Sequence, residues 1–201
     1  YPLLVDTTKM IADPQVRNLA TVGGNLAHGD PANDHPATML AYRAEIEITG
    51  ASGARTVPID EFFTDFFTTA LEHGEILTEI RIPLPPARSG GCYLKIERKV
   101  GDYAAAAVAV QLSLSADGSI EQVGIGLTNV AALPTRATDA ENALRGQQPS
   151  DALFAQAGQI AADASSPADD LRGSAEYKLT LIRKLIQRAL RRSVERAQGR
   201  S

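Results

Sequence analysis

The sequence predicts an α+β protein in two pieces. Three observations carry that reading. Short alternating runs in the first half read as strands around hairpin turns, with a short helix ahead of them. Three prolines and two glycines then fall within residues 83–91. Beyond that break, three strand-like runs come first and helices follow.

Taken in order, the opening segment is punctuated by turn signals: Asp13-Pro14, Gly23-Gly24, Gly29-Asp30-Pro31 and Asn33-Asp34. Residues 34–43 read as a short helix, with Asp34 as its N-cap and Pro36 tolerated in the first turn. Residues 44–49 alternate and read as a strand, which Gly50 and Gly53 turn back into a hairpin partner over 55–59. Asp60 is placed to cap a helical turn through Phe62 and Phe63, and 75–82 alternates again. The proline-rich break can continue neither a helix nor a central strand. It sets the expected organisation: a first domain over 1–84, a linker over 85–91 and a second domain over 92–201.

The second part opens with runs at 92–99, 104–115 and 120–129, read as a three-stranded antiparallel sheet. Asp117-Gly118 marks the hairpin between the last two. The alanines of 104–109 favour helix by themselves, and the alternation after them draws the run to strand. A short helix over 139–144 ends at Gly146. Ser150 caps a helix over 151–164, and Ser174 caps a long one reaching about Arg196. That last helix carries an apolar stripe of Leu181, Ile182, Leu185, Ile186, Ala189, Leu190 and Val194. Its basic opposite face is read as the solvated side of an amphipathic helix.

Composition narrows the function classes. At 201 residues with 44% hydrophobic and 22% charged, the chain can bury a core without disulfides. A net charge of −4 makes it a poor candidate for nucleic acid. The single cysteine, Cys92, excludes an internal disulfide, a four-cysteine zinc site and an iron–sulfur cluster held by this chain alone. It also fits a reducing compartment. No apolar run approaches the roughly 20 residues of a membrane helix.

The chemistry concentrates in residues 20–37. Gly23 and Gly24 lack side chains, are free to take positive φ, and let a ligand approach the backbone amides. Thr21 and Asn25 flank them with short groups suited to phosphate or sugar oxygens. Asp34 is an acceptor suited to a ribose diol. On pattern alone, a plain Gly-Gly turn before a capped helix is the better account of this run. His28, Asp30, Asp34 and His35 match no helix-borne ligand spacing, so no metal site is expected. No catalytic base or nucleophile is expected either.

Three segments nevertheless resemble, in order and spacing, the medium, FAD-binding subunits of molybdenum hydroxylases. That family includes the aerobic carbon monoxide dehydrogenase medium subunits and the flavin domain of xanthine dehydrogenase. The segments are Asp13-Pro-Gln-Val-Arg-Asn18, Ala20-Thr-Val-Gly-Gly-Asn25 and Gly29-Asp-Pro-Ala-Asn-Asp34. The likeness continues through Gly74-Glu-Ile-Leu-Thr-Glu-Ile-Arg-Ile-Pro83 and Tyr93-Leu-Lys-Ile-Glu-Arg-Lys-Val-Gly-Asp-Tyr103, and into the tail. The resemblance implies the second half of a PCMH-type FAD-binding domain followed by the family's C-terminal domain. It implies that Thr21, Val22, Gly23, Gly24 and Asn25 lie along the FAD and that Asp34 holds the adenosine ribose. Leu77 and Lys95 would lie near the isoalloxazine, with Tyr103 beside the ring. A nearby lysine cation would stabilise the anionic reduced flavin. The family's earlier Ala-Gly-Gly-x-Ser-Leu loop is not in this sequence, so the likeness is to a member without its N-terminal flavin-binding subdomain.

The function so implied is an electron-transferring flavoprotein subunit of a cytoplasmic enzyme. An iron–sulfur small subunit and a molybdopterin large subunit would be its partners, as a dimer of heterotrimers. The clusters and molybdopterin would reside only in those partners. The alternatives are a redox-inert module holding the same partners through its C-terminal domain, and a flavin oxidase working without partners.

Overall fold

A computed structural model describes residues 1–200. The segment expected to be turn-rich is instead three short helices: α1 (Pro2–Met10), α2 (Pro14–Leu19) and α3 (Val22–Ala27). The turn signals act as helix starts. Prolines open α1 and α2, where the missing N–H costs nothing. The Asp13 carboxylate accepts from the Val16 N–H at 2.9 Å, and the Thr21 hydroxyl accepts from the Gly24 N–H at 2.9 Å. Gly23 and Gly24 therefore lie inside α3, and neither has a positive φ. Gly29, at φ +67, makes the turn that follows.

Helix α4 (Asp34–Tyr42) is buried along its whole length. Its N-cap is Asn33, so Asp34 stands in the first turn and not at the cap. Strand β1 (Glu45–Gly50) pairs antiparallel with β2 (Gly53–Pro58) and, on its other edge, with β5 (Ile76–Arg81). Between β2 and β5 run α5 (Ile59–Phe62) and the small hairpin β3 (Phe63–Asp65) and β4 (Thr68–Thr69). The N-cap of α5 is Pro58, and Asp60 lies within the helix. Leu26, Met39, Leu40, Ile46, Ile48 and Phe62 form the core of this first unit.

The second sheet runs β6 (Ser89–Ile96), β7 (Ala106–Leu114), β8 (Ile120–Thr128) and β9 (Thr135–Arg136), antiparallel throughout. Three strands are long, and the two-residue β9 extends one edge. Ser89, Gly90 and Gly91, read from sequence as linker, belong to β6. A Cβ on Gly90 would sit 2.0 Å from the Ser193 carbonyl oxygen, and one on Gly91 2.7 Å from the Leu3 Cβ. These glycines mark a strand squeezed between helices, not a flexible connector.

Helices α6 (Thr138–Leu144), α7 (Asp151–Asp163) and α8 (Ala175–Ala197) cover one face of this sheet. Ser150 and Ser174 cap α7 and α8 through the Leu153 and Tyr177 N–H groups. The other face is covered by α1 and α4, so helices from the first part of the chain complete the second core. β7 shows why its sequence is alanine-rich. Val108, Val110 and Leu112 point to α7 and α8, while Ala107 and Ala109 point to α1 and α4. Small residues on that side let α4 lie close. On β8 the approach is closer still: a Cβ on Gly124 or Gly126 would fall 2.0 or 1.9 Å from the carbonyl oxygen of Ala41 or Ala37.

Candidate cofactor site

A cleft of about 190 Å³ opens where α2, α3, α4 and the β6–β7 loop meet. Val16, Asn25, Asn33, Asp34, Asp102 and Tyr103 are among its walls. Gly101 lets the loop close over α1's end: at φ +80, its Cα lies so near Ala12 that a Cβ would be 2.8 Å from the Ala12 carbonyl oxygen.

Asp34 is the centre of the polar structure. Tyr93 donates its hydroxyl hydrogen to Asp34 Oδ1, and Lys95 Nζ donates to Asp34 Oδ2 at 3.1 Å. The same ammonium donates to the carbonyls of Met10 at 2.8 Å and Asp102 at 2.9 Å, and lies 3.0 Å from Glu97 Oε2. Its three N–H bonds are thus used within the protein. Burial pushes the Asp34 carboxyl above its ordinary value, outweighing the Lys95 charge and the hydrogen bonds from Tyr93 and Lys95. Asn33 anchors the neighbouring strand of chain, its Nδ2 donating to the Asn25 carbonyl at 2.8 Å.

The sequence-selected residues fall into a connected neighbourhood, with differing access to the cleft. Asn25, Asp34 and Tyr103 line it. Thr21, Val22, Gly23 and Gly24 form the start of α3 beside Asn25, with Thr21 and Gly24 exposed. Leu77 stands behind them: a Cβ on Gly23 would touch its Cδ2 at 3.3 Å. Lys95 has a fully buried side chain and does not line the cleft itself; it bonds to two of the walls, Asp34 and the Asp102 carbonyl. Tyr103 is 42% exposed, and the Arg172 guanidinium lies over its ring at 5.3 Å. The Asp34 and Lys95 side chains, expected at the ribose and near the isoalloxazine, are in direct contact at 3.1 Å. Tyr93 and Asn33 were not singled out from sequence. For Tyr93 a signal existed, since residues two apart on a strand share a face with Lys95.

His28 lies 4.0 Å from Asp30 on the surface, while His35 is buried with both ring nitrogens unpartnered. Among the described residues, no three His, Cys, Asp or Glu side chains gather as a metal site would require. Burial raises the Cys92 thiol to about 11, which leaves it unreactive at neutral pH.

Comparison with known proteins identifies the family and the fold. Residues 1–85 match the family described as the FAD binding domain in molybdopterin dehydrogenase. Residues 91–193 match the CO dehydrogenase flavoprotein C-terminal domain. The chain belongs to this flavoprotein family. It is similar to the carbon monoxide dehydrogenase medium chain of Afipia carboxidovorans, with 44% identity over all of this chain and 68% of that one. The xanthine dehydrogenase FAD-binding subunit of Escherichia coli O157:H7 is 31% identical over 99% of this chain and 68% of its own length. Among solved structures, the carbon monoxide dehydrogenase of Hydrogenophaga pseudoflava lacking its Mo-pyranopterin moiety superposes with a TM-score of 0.94 at 44% identity. That match covers 97% of this chain and 68% of the other. Quinoline 2-oxidoreductase from Pseudomonas putida 86 follows at 0.88 and 30%, covering 99% and 68%. This flavoprotein chain spans about two-thirds of the length of the relatives it matches. They are oxidoreductase chains or subunits, which supports the flavoprotein reading and lends nothing to the inert module. Among the described residues, no helix of the flavoprotein is long and apolar enough to cross a membrane.

Proposed function

We propose that this chain holds FAD as part of the medium subunit of a molybdenum hydroxylase, of the carbon monoxide dehydrogenase kind. Electrons would reach it from the iron–sulfur clusters of a small subunit, themselves supplied by a molybdopterin large subunit. They would leave to an external acceptor. The assembly is a dimer of heterotrimers, working in the cytoplasm.

The observation that carries this reading is the juxtaposition of the Thr21-capped backbone with the Asp34 cleft. The donor set suits a nucleotide: N–H groups at the start of α3, the Asn25 carboxamide, a carboxylate acceptor and the Tyr103 ring. The size suits only a portion of one, since 190 Å³ is below the roughly 300–1,000 Å³ of sites that enclose a whole cofactor. Bound FAD supplies the exchange between two-electron and one-electron chemistry. The chain's own residues bind and orient. Thr21 keeps the first turn of α3 formed, Gly23 and Gly24 keep its backbone bare, and Asp34 accepts from cofactor hydroxyls. Lys95 keeps a positive charge beside that carboxylate, and Leu77 supports the glycines from behind. Tyr103 offers a flat apolar face at the cleft rim.

Gly24→Val in the assembled enzyme tests this. Its Cβ would press on Thr21 Oγ1 at 3.0 Å, displacing the cap and roofing the backbone. Flavin absorbance per subunit should fall about tenfold or more while the subunits still co-purify. Unchanged flavin content would overturn the assignment.

A further inference from the structure

We infer that Tyr93 is a positioning residue for the cofactor site: from β6 it fixes the Asp34 carboxylate at the cleft wall, so that Asp34 presents its free lone pairs to hydroxyl groups of a bound nucleotide. This rests on the flavin-site reading above. Three observations lead to it.

Tyr93 is only 3% exposed, and its ring is packed among Leu3, Ala37, Ala41, Ala104, Ala107 and Ala109. Phenylalanine would fill that apolar space equally well. A hydroxyl brought into it has to be satisfied, and the hydrogen bond to Asp34 Oδ1 does so. Next, Asp34 stands in the first turn of α4, where a carboxylate normally serves its own helix terminus. Here no side chain caps α4, and the Asp34 carboxylate turns across to β6. Finally, Tyr93 holds one carboxylate oxygen and Lys95 the other, which removes rotation of the group. Each oxygen keeps a further lone pair, and Asp34 lines the cleft.

The charged and titratable surroundings of Asp34 are Tyr93 and Lys95 from β6, Glu97 and Asp102 from the loop after it, and His35 on α4 itself. Both Tyr93 and Lys95 favour the ionised carboxylate, and Glu97 opposes it. Removing the tyrosine hydroxyl therefore moves Asp34's protonation to higher pH.

The test is FAD affinity against pH for Tyr93→Phe in the assembled enzyme, with free FAD titrated into deflavinated complex. The expected result is affinity about tenfold weaker than wild type towards acid pH, with the deficit shrinking as pH rises and Asp34 ionises again. A purely structural role would lower affinity equally at every pH. Superimposable wild-type and variant profiles, or a pH-independent loss, would overturn the inference. Gly24→Val separates the two levels. If it abolishes FAD binding and Tyr93→Phe changes nothing, the flavin site stands and the role of Tyr93 falls. If Gly24→Val leaves binding intact, the site reading itself falls. Should Tyr93→Phe not accumulate folded, Asp34→Asn replaces it: with no carboxylate for Tyr93 to hold, affinity should fall about tenfold and lose its dependence on pH, and unchanged affinity would overturn the inference.

Discussion

The two oxygens of Asp34 have different keepers, a neutral hydroxyl and a buried cation, both on one strand. His35, the next residue, has none. It is 5% exposed, and burial without a partner lowers its imidazole to about 4. The unfolded chain takes up this proton near pH 6.5, and the folded chain does so only near 4. Stability is therefore lost as pH falls through that window, by about 3 kcal/mol for this group. His35→Leu should flatten the decline between pH 6.5 and 4 in urea titrations. An unchanged slope would show that the imidazole does not titrate as its burial demands.

Helix ends show how much the sequence could disclose. Ser150 and Ser174 were legible as caps because serine before a long apolar period has one plausible use, and both hydroxyls make the expected bonds. Ser174→Ala should cost about 1 kcal/mol, read as a lower urea midpoint with an unchanged slope. Asp13 and Thr21 carry the same chemistry, but each is followed by only six helical residues. A run so short shows no period, so turn residues outweigh it. At residues 34–43 the helix was found and its cap misplaced by one position. There, long-range bonds to β6 claimed the carboxylate that local rules assign to capping. The glycines of 89–91 misled in the opposite direction. Their lack of side chains serves close packing against α1 and α8, which no local pattern reveals. In the same way, the motif around Thr21 and Asp34 is legible, whereas its support Tyr93 depends on a contact with a distant part of the chain, and Asn33 on a bond eight residues back that no helical or strand period marks.

At the scale of the molecule, the sheet β6–β9 has helices from both parts of the chain on its faces. The contact of α4 with β8 is made of backbone against backbone at Gly124 and Gly126. Gly126→Ala would drive a methyl group into the Ala37 carbonyl, which neither a rotamer change nor a small shift relieves. A loss of about 3 kcal/mol or more is expected, measured by thermal or urea unfolding. Gly53, whose Cβ would meet nothing, is a useful contrast despite its φ of +116, since any cost there is backbone strain alone. A joint without intervening side chains cannot act as a hinge: α4 has no cushion of rotamers on which to slide or swing. The wall bearing Asp34 is consequently the fixed jaw of the cleft. In the proposed flavin site, accommodation of the coenzyme would fall to the opposite side, where α2 is exposed along its length.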